Sequence, residues 1–110
     1  VDCFTADAVL ESPAIGVIAG YEAIRAFAGR FAALHKGGTQ FRHMITNLAA
    51  EVEDDRARAT CYLLVLVTRD GESRQLPPGR YESELVKEAG QWRFRRRVVF
   101  HDHAYTLEGI

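Results

Sequence analysis

His43 lies in the run Gln40-Phe41-Arg42-His43-Met44-Ile45. On a strand, alternate residues face the same way, so Phe41, His43 and Ile45 share one apolar face. Burial disfavours the charged form of an imidazole and lowers its pKa, and a neutral imidazole can accept a proton near pH 7. His43 is therefore the candidate general base, with Phe41 a candidate ligand contact beside it. The bland reading is a core histidine bonded to a backbone carbonyl or a tyrosine.

Arg96 is a second candidate. Strict alternation puts it on one face with Trp92, Phe94, Val98 and Phe100, and puts Arg93, Arg95 and Arg97 on the other. An arginine in an apolar row needs a carboxylate partner or an anionic ligand. Glu82 and Glu84 on the neighbouring strand are the expected partners. His101, Asp102 and His103 form a third group, with both imidazoles on one side of a strand. Two imidazoles do not specify a metal site, because a catalytic zinc usually takes three protein ligands, and a solvated chain end explains them as well. Tyr21, Tyr62, Tyr81 and Asp7 could line a cavity as donors or acceptors. Phosphate-binding glycine loops, nucleophile elbows and Walker motifs are missing, so neither a cofactor nor a metal is expected. Cys3 and Cys61 have no metal-ligand or disulfide spacing, and reduced thiols in a cytoplasmic protein are expected.

The elements that must position these residues follow from periodicity. Residues 7–11 read as a short strand, and Ser12-Pro13-Ala14-Ile15-Gly16 breaks it. Ile24, Phe27, Phe31 and Leu34 recur at helical spacing and predict a helix over 21–35, with Gly37-Gly38 as its stop. From Thr39 the period becomes two. Strands are expected over 39–45, continuing through 48–52, then after an Asp54-Asp55 turn over 56–68. Residues 69–79 read as a loop, and 80–88 with 91–100 as a hairpin around Ala89-Gly90. This order indicates an α+β fold with the helix on one face of an antiparallel sheet.

One helix is too little cover. Five strands make a sheet roughly 24 Å wide and about 33 Å long. A 15-residue helix is roughly 23 Å by 10 Å, about a third of that face. Three remedies are compatible: more helix before Val1, a partner on the sheet, or a curved sheet folded around a cavity. In the strand over 56–68, Leu64 and Leu66 face away from the main apolar row, which predicts a homodimer through the outer face.

Composition narrows the function classes. The 110 residues fit one domain, and 47% hydrophobic with 26% charged is ordinary for a globular chain. The longest apolar run, 61–67, is too short to span a bilayer, and no secretory-signal pattern is read. The net charge of −1 argues against a polyanion partner, although residues 1–55 carry −4 and residues 56–110 carry +3. An RNA-binding reading of the basic run Arg93 to Arg97 would need clustered bases with interleaved stacking aromatics, and a solvated strand face is the simpler reading. Neither nucleic acid nor membrane is expected as a partner.

Taken together, the chain resembles the nuclear transport factor two-like superfamily, and within it the SnoaL-like group of polyketide cyclases, scytalone dehydratase and bile acid dehydratase. The matching pieces are Cys3 to Glu11, Gly20-Tyr21-Glu22-Ala23-Ile24, Thr39-Gln40 with His43 and Asn47, Arg80-Tyr81, and Gly90-Gln91-Trp92-Arg93-Phe94. They span residues 3–100. The resemblance implies a strongly curved antiparallel sheet wrapped by helices into a cone with an internal pocket. It puts His43 at the position of the dehydratase base. It also implies that the N-terminal helices, which carry an assisting Tyr and Asp in those enzymes, would precede Val1. The 110 residues are then an N-terminally truncated domain. A further family tyrosine falls at Ser12, a departure from the scytalone-type site, and that enzyme's second pocket histidine has no counterpart around Arg80-Tyr81.

Two functions follow as expectations. One is a cofactor-independent lyase or isomerase acting on a small hydrophobic carbonyl compound, with His43 as base and Tyr21, Tyr81, Phe41 and Arg96 contacting the ligand. The other is a non-catalytic module that binds a hydrophobic ligand, or a structural subunit like the small subunit of ring-hydroxylating dioxygenases.

Overall fold

The computed structural model describes residues 2–105. Strand β1 (Phe4–Ser12) pairs with the short β2 (Gly16–Ala19), which leads into helix α1 (Tyr21–Lys36). Two long strands follow, β3 (Gln40–Glu53) and β4 (Arg56–Arg69), then β5 (Glu72–Gln75), β6 (Gly79–Glu88) and β7 (Gln91–His101). All seven strands form one sheet in the order β2-β1-β7-β6-β4-β3, with β5 pairing β4.

The helix forms where its apolar stripe predicts. Gly20 turns the chain out of β2 at φ 90, a conformation that a Cβ would penalise. Its N–H donates to the Ala8 carbonyl at 2.8 Å, tying the helix start to β1. At the far end the Gly37 N–H reaches the Ala33 carbonyl and the Thr39 N–H reaches the Leu34 carbonyl. Glu22 in the first turn and His35 and Lys36 in the last complement the helix dipole. Ile24 is the buried centre of the stripe, and α1 packs on β1, β2 and β3.

The sheet departs from simple register at three places: β1 shifts against β7 between Phe4 and Val9, and two bulges break the alternation of β3 and β7. Opposite Thr60 to Tyr62 on β4, strand β3 carries one extra residue between Thr46 and Ala49, with Asn47 at φ 56. Asparagine tolerates that left-handed backbone better than most residues. Opposite Glu84 and Leu85 on β6, strand β7 carries Arg95 as the extra residue, because Glu84 pairs Arg96 while Leu85 pairs Phe94. A bulge bends its strand and increases the twist, so these two curve the sheet around α1. Each also reverses which residues face inward. Phe94 is followed on the concave side by Arg97, Val99 and His101, so the expected faces of 96–101 are exchanged.

Three elements differ from expectation. Residues 69–79 contain β5, an exposed and wholly polar strand with no apolar alternation to reveal it. Strand β2 is only 4 residues long and lies inside the expected break and helix lead-in. Strand β1 pairs β7 in parallel, so the sheet is not purely antiparallel.

Arg96 is thereby placed on the convex face. Its guanidinium bonds Glu11 Oε1 at 3.0 Å, not Glu82 or Glu84. The strand register builds a row of alternating charge across that face: Glu51 opposite Arg58, Arg58 opposite Glu84, Glu84 opposite Arg96. Unlike charges directly across strands are mildly stabilising, and the row matches the basic excess of the second half with carboxylates.

The core lies on the concave side: Leu63, Val65, Val67, Leu76 and Val99, with Phe41, Tyr81 and Tyr105 packed against it. The helix covers only one half of this face. The other half keeps Leu48 at 71% and Val52 at 64% exposure around an open apolar hollow. A radius of gyration of 14.8 Å, above the roughly 13 Å of a compact chain this long, reflects the sheet running past its cover.

At Gly79 strands β6 and β7 approach too closely for a side chain. A Cβ built there would overlap the backbone carbonyl of Phe100 and come within 3.2 Å of His101 Nδ1. Gly79→Ala is expected to cost about 1–3 kcal/mol in urea unfolding, through displaced backbone. Gly29, mid-helix with nothing within 4 Å of its Cβ position, is the contrast. Gly29→Ala is expected to stabilise by about 0.5–1 kcal/mol in the same measurement.

Candidate functional site

Between α1 and the concave sheet lies a cavity of about 350 Å³, a size suited to a small organic molecule. Its helix wall is Ile24, Phe27, Ala28 and Phe31. These residues recur at spacings of three and four, so one face of α1 supplies them all. The sheet wall brings Phe41 and His43 from β3, Leu63 and Val65 from β4, Tyr81 from β6, and Arg97, Val99 and His101 from β7. Phe4, Leu10 and Ser12 of β1 close one side. Phe31 meets Phe27 and Phe41 edge-on, each at 4.9 Å between ring centroids, which holds helix and sheet together across the cavity.

His43 is exposed at the cavity's open rim. Enough protein surrounds its ring that desolvation, first, and the Arg97 guanidinium, second, hold its pKa below the ordinary 6.5. The ring is therefore neutral at pH 7. Among the described residues no side chain or backbone group hydrogen-bonds it within the fold, so it is not the satisfied core histidine of the bland reading.

Tyr81 stands on the same cavity. Burial, the largest influence, pushes its hydroxyl above the ordinary 10.0, while Arg97 pulls the other way. The hydroxyl keeps its proton at neutral pH and can donate a hydrogen bond. Burial raises Tyr105 in the same sense, and its ring packs edge-on against His101 at 4.7 Å.

Arg97 is the residue that strict alternation misplaced. Its Cζ lies 3.6 Å from the Tyr81 ring centroid and 4.5 Å from that of Phe94. Its Nε is buried and has no hydrogen-bond partner among the described residues, as is the case for His101 Nδ1. The sequence carries a signal for this inward turn, a spacing of three from Phe94 to Arg97. Val98, Val99 and Phe100 obscure it by being apolar on both faces.

The remaining expected residues divide. Phe41, His43 and Tyr81 are brought together on the cavity. Tyr21 opens α1, partly buried, but is not part of the cavity wall, because the helix presents Ile24 and the residues beyond it. Arg96 lies across the sheet from the cavity, for the reason of phase given above. Tyr62 is 58% exposed on the convex face, and Asp7 borders a broad charged groove at the sheet's far end. That groove, about 1,020 Å³, is roomier, but it is an open surface hollow in which charged side chains such as Glu51, Arg58, Glu84 and Arg96 face water. The smaller apolar cavity is the better candidate. Ser12, at the position of the family tyrosine, is buried in the cavity wall and accepts a hydrogen bond from the Ala14 N–H at 3.2 Å. His101 and His103 do not converge: the first lines the cavity, and the second has Nδ1 3.4 Å from its neighbour's carbonyl, Ala104 O. Among the described residues no three His, Cys, Asp or Glu side chains are grouped to hold a metal ion. No helix among them is long and apolar enough to cross a membrane.

Comparison with known proteins gives the family. A Catenulispora acidiphila protein solved in complex with S-DNPA is 35% identical, over 92% of this chain and 75% of its own, with a TM-score of 0.78. Aln2 from a Streptomyces species is 34% identical, over 92% and 73%, with a TM-score of 0.78. Rv3472 from Mycobacterium tuberculosis, a protein of unknown function, is 30% identical over 94% of this chain, with a TM-score of 0.76. The chain spans only 58% of that protein's length. No curated protein matches significantly. The model of the SnoaL-like domain matches residues 1–98. The chain therefore belongs to the SnoaL-like domain family and has its NTF2-like fold, a curved α+β sheet wrapped on a helix.

Proposed function

We propose that this domain is a cofactor-independent lyase or isomerase for a small hydrophobic carbonyl compound, with His43 as general base. The observation that carries the reading is an imidazole at the rim of an apolar cavity that also holds the Tyr81 phenol, with no internal hydrogen bond to the imidazole among the described residues. A relative 35% identical to this chain is solved in complex with S-DNPA, which supports ligand binding by the fold.

The chemistry is proton abstraction. The imidazole takes a proton from the carbon alpha to the carbonyl, and the electron pair moves onto oxygen as an enolate. The Tyr81 hydroxyl donates a hydrogen bond to that oxygen, and the apolar walls strengthen the interaction by excluding water. In a lyase the enolate collapses and expels a β-hydroxyl, which leaves as water with the proton from the imidazolium. In an isomerase the imidazolium returns the proton at the far end of the shifted double bond. The free thiols of Cys3 and Cys61 fit the reducing cytoplasm as its location.

A non-catalytic reading is favoured by a different observation. The bare half of the concave face, with Ile45, Leu48, Val52 and Trp92 exposed, is surface of the kind a structural subunit commits to packing. Exchange of the alpha protons of a bicyclic aryl ketone in deuterated buffer, followed by NMR, separates the two readings. The enzyme reading expects His43→Gln to slow exchange about 100- to 10,000-fold. Equal rates for the variant and the wild type would remove His43 as base. The rate should climb as pH rises through a value below 6.5, where the imidazole loses its proton, and stay level through pH 7 to 8.

The convex face supports a homodimer as the proposed assembly: Met44 and Tyr62 are exposed beside the partly buried Leu64 and Leu66. Sedimentation at micromolar concentration is expected to show a dimer, and Leu64→Glu a monomer. A monomeric wild type would defeat that assignment.

A further inference from the structure

The cavity described above is apolar except for a few groups, and one of these is a cation without a counter-charge. Arg69, Arg80, Arg93 and Arg96 each have a carboxylate within 4.0 Å. Arg97 has none among the described residues, and its neighbour across the strand pair is the buried, neutral Ser83. Its guanidinium carbon stands 3.6 Å from the centroid of the Tyr81 ring and 4.5 Å from that of Phe94. Aromatic faces attract a cation but accept none of the in-plane N–H bonds of a guanidinium, which has five donors. The buried Nε has no acceptor among the described residues.

Such an arrangement is costly. The side chain is only partly buried, but its Nε–H is cut off from water, and a buried donor without an acceptor loses solvation that a partner would restore. The fold also departs from regular pairing to create it: without Arg95 as an extra residue, Arg97 would face the charged convex side. Bulges of this kind re-aim side chains next to functional sites. The group that satisfies a planar guanidinium best is a planar carboxylate, which accepts two parallel N–H bonds. The aromatic residues Phe4, Phe27, Phe31 and Phe41 on the same cavity suit a flat hydrocarbon body.

We propose that Arg97 is the anion-recognition residue of this cavity, and that its ligand is a flat aromatic molecule bearing a carboxylate. The inference rests on the reading of the cavity as a small-molecule site. Arg97 also borders the open hollow beyond Phe94, so the carboxylate end lies at the junction of the covered and bare halves of the concave face, with the hydrocarbon under α1.

The test is calorimetric titration with 2-naphthoate and its neutral isostere 2-naphthamide. The wild type is expected to bind the acid about 10- to 100-fold more tightly than the amide. Arg97→Gln should bring the two affinities together by weakening the acid alone, and Arg97→Lys should keep part of the preference as a point charge. Acid and amide binding equally to the wild type would overturn the role of Arg97 and leave the cavity reading intact. Binding of neither would overturn both. Should Arg97→Gln fail to fold, the wild-type ratio and the lysine variant still decide.

Discussion

The phase of strand β7 relative to its neighbours governs what this domain can do. A strand shows alternate side chains to opposite faces, so one extra residue exchanges the faces of everything after it. Arg95 is that residue on β7. Before it, Trp92 and Phe94 line the open half of the concave surface. After it, Arg97, Val99 and His101 line the covered half, while Arg96 joins the row of charges outside. The second bulge, at Asn47 on β3, keeps Ile45, Leu48, Ala50 and Val52 on the concave side across the bend. Curvature and composition of the cavity therefore have the same origin.

The two faces of the sheet use charge differently. On the convex side Arg96 is paired with Glu11, with side chains 48% and 29% exposed, and such a pair contributes at most about 1 kcal/mol. Its value is solubility and register. On the concave side Arg97 is stacked and without a carboxylate among the described residues, and the field it casts reaches both titratable groups of the proposed chemistry. Two adjacent arginines in one strand thus have unrelated roles, decided by which face each occupies.

Much of the architecture is legible in the residues. The stripe Ile24, Phe27, Phe31 and Leu34 marks the helix, and Ala89-Gly90 and Asp54-Asp55 mark the hairpin turns, because local periodicity and turn chemistry leave a short-range trace. Phe41 and His43 are legible as one inward face for the same reason, since β3 keeps a simple period up to those positions, whereas nothing in the spacing singles Tyr81 out from Tyr21 and Tyr62. What was not legible depends on partners distant in sequence. The parallel match of β1 to β7 joins Val9 to Arg96 and has no local signature. The bulge at Arg95 is hidden because Val98, Val99 and Phe100 satisfy either phase. That ambiguity put Arg96 on the expected inward face where the structure has Arg97, and Tyr21, at the start of α1, lies outside the cavity lining.

The proposed base and the proposed anchor are also coupled. Arg97 is the second cause, after burial, of the low His43 pKa. A positive neighbour makes the imidazole a weaker base, which protects its neutral form but reduces its drive to take a proton from carbon. On the proposal made for Arg97, a ligand carboxylate seated there would cancel much of that field. The His43 pKa would then rise toward neutrality, where a general base works best. Arg97 would in this way make the strength of the base depend on occupancy: weak in the empty cavity, stronger once the anchored end of the substrate is in place. A neutral compound of the same shape would leave the field of Arg97 uncancelled and meet the weaker base. Discrimination between substrates would then appear in the proton-transfer step as well as in affinity, without any movement of the backbone.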